Sequence, residues 1–392
     1  MISGGGTAGH VYPALAVVRW LMADSLSPAS LYRSSLLAER SAISDKRYAI
    51  CYVGSIGGVE EGIVAREGLP FRGVEAGGLR GLAPWTMLHS LCRMAVGLLQ
   101  SVRIIWGFKP EAILVTGGYV CVPIALAGWL YRAPILIYLP DIEPGLAISI
   151  LSHFAVRIAV SFAESRRFFP PHKVVVTGYP VRPELLKADR LAAKRRFHLD
   201  EGMKTLLVFG GSRGAHNINL AISRILPELL EACQVIHICG QKDEGWARSQ
   251  WEGLSTCLQG RYRVYSYLHD GMADALAAAD LVVARAGAAT LGEFPALGKP
   301  SILVPYPYAG QHQDLNAEYL VSRGAAVKIA DAELEEKLLP TILGLLSDDE
   351  ALARMGEQAR ALAKPEAAQR IAVELVRMAT GYQRQETGEP SQ

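Results

Sequence analysis

Short, almost wholly apolar runs alternate along the chain with longer stretches of helical period, and that alternation predicts its elements. Ala112–Thr116, Pro134–Leu139, Val156–Phe162 and Lys173–Thr177 read as strands in the first half. Thr205–Phe209, Gln234–Cys239, Tyr262–Tyr267, Leu281–Ala284 and Ser301–Pro305 read as strands in the second. Strands apolar on both faces and separated by helices predict parallel sheets covered on both sides. Two consecutive sets predict an α/β protein of two doubly wound, Rossmann-like domains facing across a cleft.

The break falls at Val181-Arg182-Pro183, giving one domain over 1–180 and a second over 181–365. A helix over 366–383 follows Pro365 and is expected to return to the first domain. The polar tail Arg384–Gln392 is expected to be disordered. The Ser-rich segment from Ala23 to Lys46 has no period and reads as a surface insertion. No secretory leader is expected. Met1-Ile2 leaves almost no strand ahead of the first glycine turn, so either that strand is cut short or the start codon is placed too late.

Ala112 to Tyr131 carries no charge and is long enough to suggest a membrane span. Gly117-Gly118 and Pro123 interrupt it, however, and β-branched residues crowd its start. A strand, a glycine turn and a short apolar helix are expected instead.

Composition narrows the function classes. Half of the 392 residues are hydrophobic and a fifth charged, and the net charge of +2 gives no basis for nucleic-acid binding. The 6 cysteines form no CxxC pair, and no histidine cluster has metal-ligand spacing. Buried free thiols and no metal are expected.

The candidate chemistry lies in glycine-rich turns: Gly4 to His10, Gly117-Gly118-Tyr119, Gly210 to Ala215, and Arg285 to Ala288. Each follows a strand position or the chain start and leads toward a helix, whose unpaired N–H groups suit a diphosphate. Gly4-x-Gly6-x-x-Gly9 even satisfies the dinucleotide fingerprint. For any single turn, glycines needed only for tight strand-to-helix packing are an equal reading. Their spread over two domains favours a ligand held between them.

The chain resembles the MurG family of peptidoglycan glycosyltransferases. The resemblance rests on GGGTAGHVYPALAV at Gly4–Val17, GGLRG at Gly77–Gly81, TGGYV at Thr116–Val120 and GYPVR at Gly178–Arg182. It continues through FGGSRGAHNIN at Phe209–Asn219, VIHICGQKD at Val235–Asp243, YLHDGM at Tyr267–Met272, RAGAATLGE at Arg285–Glu293 and HQDLNA at His312–Ala317. It implies a GT-B fold and inverting transfer of N-acetylglucosamine from UDP-N-acetylglucosamine to an undecaprenyl-linked muramyl-pentapeptide. No cofactor is implied beyond this donor, and the absence of an Asp-x-Asp motif fits a metal-free site.

The resemblance also implies residue roles. Arg182, Ser212 and the helix after Gly214 would hold the diphosphate, and Leu268 would flank the uracil. Glu293 would accept from both ribose hydroxyls, with Thr290 near the phosphates. Gln313 and Asn316 would face the sugar. Thr7, Gly9 and Ala288 complete the donor set. His10 is the candidate base, since imidazole titrates near neutrality; holding the loop by a hydrogen bond is its other reading. The family's His-Glu-Gln-Asn is here Tyr138-Leu139-Pro140-Asp141, so Asp141 and Glu143 are the remaining carboxylate candidates.

Thr86–Trp106 reads as a helix with a thin polar stripe (His89, Arg93, Gln100, Arg103) and a wide apolar face. With Arg80, Trp85, Arg93 and Tyr119 it forms the candidate acceptor and membrane surface, docking on anionic lipid at the cytoplasmic face of the membrane as a peripheral protein. Burial against the sheet accounts for the same pattern. Two further readings stay open: a UDP-sugar epimerase or hydrolase on the same fold, and a non-catalytic UDP-sugar binder, which Leu139 motivates. A nicotinamide dehydrogenase rests on the first loop alone.

Overall fold

The computed structural model describes residues 1–23, 48–78, 84–211, 215–268, 271–307 and 312–387. The chain divides into two compact units, Met1–Pro180 with Pro365–Gln392, and Val181–Lys364.

In the first unit the strands are β1 (Ile2–Ser3), β2 (Tyr52–Ser55), β3 (Phe71–Val74), β4 (Ile113–Val115), β5 (Ile135–Leu139), β6 (Arg157–Val160) and β7 (Val174–Val176). They form one 7-stranded parallel sheet in the order β3-β2-β1-β4-β5-β6-β7. Helices α1 (Ala8–Ala23), α2 (Val59–Arg66), α3 (Pro84–Phe108), α4 (Cys121–Leu130) and α5 (Leu146–Leu151) connect them. Alternation along β5 shows both faces covered: Ile135, Ile137 and Leu139 join one apolar cluster, while Leu136 and Tyr138 join the other.

The second unit carries β8 (Thr205–Phe209), β9 (Gln234–Ile238), β10 (Tyr262–Tyr265), β11 (Leu281–Ala284), β12 (Ser301–Leu303) and β13 (Ala326–Lys328). Its 6-stranded parallel sheet runs β10-β9-β8-β11-β12-β13. Its helices are α6 (Pro183–Lys187), α7 (Arg190–Arg196), α8 (His216–Arg224), α9 (Leu226–Ala232), α10 (Glu244–Glu252), α11 (Thr256–Gln259), α12 (Met272–Ala278), α13 (Thr290–Leu297), α14 (His312–Val321), α15 (Leu334–Ser347) and α16 (Asp349–Ala361). Finally α17 (Ala367–Thr387) packs on α1, with Ile371, Leu375 and Val376 in the first unit's core.

In each sheet the strand order reverses once, between β1 and β4 and between β8 and β11. Such a switch point opens the crevice in which α/β sheets bind ligands. All four glycine turns follow one of these four strands.

The uncharged stretch Ala112–Tyr131 resolves into β4, a turn and α4. β2, β3 and β13 are absent from the sequence reading. β2 and β3 each contain a glycine, β3 carries Arg72, and β3 and β13 are edge strands that need no two-sided apolar run. The helix of the C-terminal segment continues through Thr387 instead of ending at the expected tail, as its Gln, Arg and Glu residues favour. Of the cysteines, Cys92 and Cys257 are exposed instead of buried. The expected insertion lies almost entirely outside the described residues.

Candidate active site

The first unit's centre is the loop between β1 and α1. Gly6 takes a left-handed φ of 80°, so the chain turns sharply off the short strand. The loop is anchored on all sides. Tyr52 Oη donates to the Gly4 carbonyl at 2.8 Å, Gly5 N donates to the Gly117 carbonyl at 3.1 Å, and Thr116 Oγ1 donates to the His10 carbonyl at 2.7 Å. A Cβ on Gly118 would meet the Gly5 oxygen at 2.3 Å, so glycine there lets the two turns of the switch point close on each other.

His10 lies in the first turn of α1, half-buried. Its Nδ1 sits 2.9 Å from the Gly5 carbonyl oxygen, an acceptor only, so Nδ1–H is the donor and, in the neutral ring, the lone pair falls on Nε2. Thr7 Oγ1 lies 3.5 Å from the same Nδ1, and Gly9 follows within the helix. The imidazole rests on Gly117, where a Cβ would meet Nε2 at 2.9 Å. Tyr119 packs beside Gly78 of the GGLRG stretch; a Cβ there would be 3.5 Å from its ring.

Asp141 and Glu143 follow β5, which neighbours β4, and both are half-buried. Leu139 sits in β5 itself, 2% exposed and inside the apolar core, so its position belongs to the strand. Tyr138 is buried on the opposite face and shares a 2.7 Å hydrogen bond with Ser161.

On α3 the two readings of the apolar face divide it. Ile105 is fully buried and Leu98 packs on the core, whereas Leu88, Leu91, Leu99 and Trp106 are exposed. The expectation for Arg93 as a membrane cation needs correction: its Nε pairs with Glu75 at 2.7 Å. Glu75 N also donates to Gln100 Oε1 at 2.8 Å, so the loop after β3 takes up part of the polar stripe. Arg80 and the side chain of Trp85 lie outside the described residues.

The second unit brings Arg182 and Glu293 together. Arg182 caps α6, and its Nη2 and Nε approach Glu293 Oε1 at 3.2 and 3.3 Å. Burial pushes the Glu293 carboxyl above its ordinary range, and Arg182 opposes that without cancelling it. Thr290 opens α13, its hydroxyl donating to the Gly287 carbonyl at 2.7 Å beside the buried Ala288.

Arg285, which opens the same turn, donates to the Val304 and Pro305 carbonyls at 3.2 Å each and pairs with the half-buried Asp331. Tyr306 N donates to Gln313 Oε1 at 2.9 Å, which leaves the Gln313 amide NH2 as the donating end. Asn316 departs from its expected role. It is fully buried and its amide donates to the Ala286 carbonyl at 3.0 Å, so it holds the turn and offers no surface to a sugar.

Between α8, β9 and β10 lies a polar chain that the sequence gives no reason to single out. Asn219 Oδ1 can only accept, so His237 Nε2 donates to it at 2.9 Å, and Tyr262 Oη donates to His237 Nδ1 at 2.7 Å. Asn219 passes its amide protons to the Cys239 carbonyl and to Asp243. Burial pulls the His237 pKa down to about 4, so the ring is neutral. Ser212 and Gly214 lie outside the described residues; Leu268 is half-buried on the loop after β10.

Comparison with known proteins fits this arrangement. Models of the glycosyltransferase family 28 N-terminal and C-terminal domains match residues 36–160 and 205–371. A crystal structure of MurG from Acinetobacter baumannii shares the fold with a TM-score of 0.69 at 24% identity, over 96% of this chain and 99% of that one. The UDP-N-acetylglucosamine--N-acetylmuramyl-(pentapeptide) pyrophosphoryl-undecaprenol N-acetylglucosamine transferase of Roseiflexus sp. (strain RS-1) is 44% identical over 94% of this chain and 92% of its own. The enzyme of the same name from Desulforamulus reducens is 39% identical over 94% and 95%. The chain belongs to the MurG family of glycosyltransferases.

Its two Rossmann-like units are those of the GT-B fold, and it is a UDP-N-acetylglucosamine-dependent glycosyltransferase. The resemblance implies a glutamate at the end of β5, and there the chain has Leu139. The first glycine turn also differs from a dinucleotide site: its Gly5 and Gly6 amides are spent on Gly117 and on a carboxylate of α2, so they do not face a diphosphate.

Proposed function

We propose that this chain transfers N-acetylglucosamine from UDP-N-acetylglucosamine to an undecaprenyl-diphosphate-linked N-acetylmuramyl-pentapeptide, with inversion at the anomeric carbon. The observation that carries this reading is 44% identity to the Roseiflexus transferase across nearly the whole of both chains. The site chemistry supports it. His10 Nε2 takes the proton of the acceptor hydroxyl as that oxygen bonds to the anomeric carbon. The bond from that carbon to the diphosphate breaks, and its electron pair leaves with UDP.

Arg182 and the N-terminus of α8 stabilise the departing diphosphate, so the reading uses no metal. Glu293 accepts the ribose diol, the two oxygens of a carboxylate matching two hydroxyls. Leu268 flanks the uracil, and Gln313 donates to the sugar.

The lipid-linked acceptor places the enzyme at the cytoplasmic face of the membrane as a peripheral protein. Met87–Phe108 is long and apolar enough to cross a bilayer by length and composition. Its buried Ile105 and its Glu75 contacts instead lay one face of α3 on the sheet, leaving the other face for the lipid surface. That docking rests on the exposed apolar side chains more than on the paired Arg93.

The test is purified protein with UDP-N-acetylglucosamine, with and without a short-chain muramyl-pentapeptide lipid, in chelator. Lipid-dependent UDP release with a product heavier by one N-acetylglucosamine supports the reading. UDP binding without extension supports the second reading, a donor-binding relative with another acceptor or none, which Leu139 in the core motivates.

A further inference from the structure

Glu60, in the first turn of α2, is fully buried, and the described residues show the chain built around its side chain. A Cβ on Gly5 would meet Glu60 Oε1 at 2.3 Å, one on Gly58 would meet the same atom at 2.5 Å, and one on Gly54 would meet its Cγ at 2.6 Å. Glycines from the β1 loop, from β2 and from the turn after β2 thus vacate the space for one carboxylate. Both oxygens accept: Oε1 from Ser55 N at 2.7 Å and Oε2 from Gly6 N at 3.3 Å.

Gly6 N and the Gly5 carbonyl belong to the same peptide group. That carbonyl is the acceptor for His10 Nδ1–H at 2.9 Å. The three groups form one line: imidazole N–H to carbonyl, through the planar amide, then amide N–H to carboxylate. An amide is polarised along this direction, because a negative acceptor on its N–H increases the negative charge on its oxygen. We propose that Glu60 is a positioning residue for His10, acting through the Gly5–Gly6 peptide as a carboxylate acts directly in a histidine–carboxylate pair: it fixes the Nδ1–H tautomer and makes Nε2 a stronger base.

The other ionisable groups bonded to this loop do not supply that charge. Burial pushes the Tyr52 hydroxyl far up and the Cys121 thiol up to about 11, so both are neutral donors at working pH. Cys121 Sγ donates to the Ser3 and Gly117 carbonyls and Tyr52 to Gly4, so each fixes the backbone without charging it. Asp141 and Glu143, which follow β5 across β4, are further carboxylates at this end of the sheet, and none of the described hydrogen bonds joins either to His10.

The inference rests on the proposed role of His10 as base, so the test carries one readout that needs no turnover. Ring-15N spectra of His10 in the wild-type protein are expected to show the Nδ1–H tautomer when neutral. In Glu60→Gln, which keeps the shape and removes the charge, the titration midpoint of His10 should fall by about half a unit to one unit. An Nε2–H tautomer in the wild type, or an unmoved midpoint in Glu60→Gln, overturns the proposal. If Glu60→Gln does not fold, Glu60→Asp, which keeps the charge but withdraws it from Gly6 N, is read in its place.

In turnover, Glu60→Gln should lower kcat about tenfold, leave the KM for UDP-N-acetylglucosamine within about twofold, and move the acid limb of the rate profile to lower pH. In a His10→Ala background the same change should cost nothing further. Full losses that multiply would make Glu60 a packing residue and overturn the proposal. A wild type with the expected tautomer but no transfer would instead count against the transferase reading.

Discussion

Arg182 Nε and Nη2 both approach a single oxygen of Glu293, Oε1, at 3.3 and 3.2 Å, across 111 residues of chain. A pair of this kind is pre-set: the cation fixes the acid before any ligand arrives.

Glu293→Gln removes the charge that a ribose diol would meet, and should raise the KM for UDP-N-acetylglucosamine by about 10- to 100-fold, the worth of hydrogen bonds to a charged group. Its effect on kcat at saturating donor should be much smaller. Arg182→Ala leaves a buried carboxylate unpaired and should cost about 3 to 5 kcal/mol of stability, read by denaturant unfolding. Equal stability in the two variants would contradict the coupling.

The neutral His237 gives the second unit an acid sensitivity. Its pKa is lowered in the fold to about 4 from an ordinary 6.5. Above pH 6.5 neither state is protonated there, and the group is neutral to stability. As pH falls from 6.5 to 4 only the unfolded chain gains the proton, so up to about 3 kcal/mol is lost over that window. Unfolding free energies of wild type and His237→Gln, compared at pH 7 and pH 4.5, should show a clearly shallower pH slope in the variant.

Leu139 invites the substitution that would restore the family pattern, and the structure predicts that it fails. Leu139→Glu would place a carboxyl in the core beside Ile137 and Val160 without a partner. It should lower stability by several kcal/mol and raise no activity. The loop carboxylates are tested separately: Asp141→Asn or Glu143→Gln losing turnover at unchanged melting temperature would give that residue the missing role.

On α3, Leu99 is 73% exposed and Trp106 is 65% exposed. Burial of either in a lipid interface is worth about 1.5 to 3 kcal/mol. Leu99→Ser with Trp106→Ser should therefore lower partition to anionic vesicles by more than about tenfold, measured by sedimentation, while activity on a soluble acceptor analogue is retained. Arg93→Gln should change partition far less, because Glu75 already takes up its charge.

The sequence carries the architecture well where strands are buried on both faces, as in β5, β8 and β11. It misses β2, β3 and β13 because a glycine or an edge position removes the continuous apolar run on which such a reading depends. Arg182 and Glu293 are legible as chemistry, since an arginine and an acid after glycine turns suit a nucleotide diphosphate. Their contact is not legible, because nothing local joins positions so far apart. Glu60 and His237 look like an ordinary helix-face acid and an ordinary strand residue. Only the packing of glycines around one, and of Asn219 and Tyr262 around the other, gives them meaning.

The return of α17 to α1 also orders the birth of the molecule. Ile371 and Leu375 cover α1 only after all of Val181–Lys364 has left the ribosome. The second unit is contiguous and its chain is complete before α17 is made, so the first unit lacks part of its core until the last helix. A fragment ending at Pro180 is therefore an unfinished domain. The shortest chain that completes the first unit alone is 1–180 joined by a linker to 365–387.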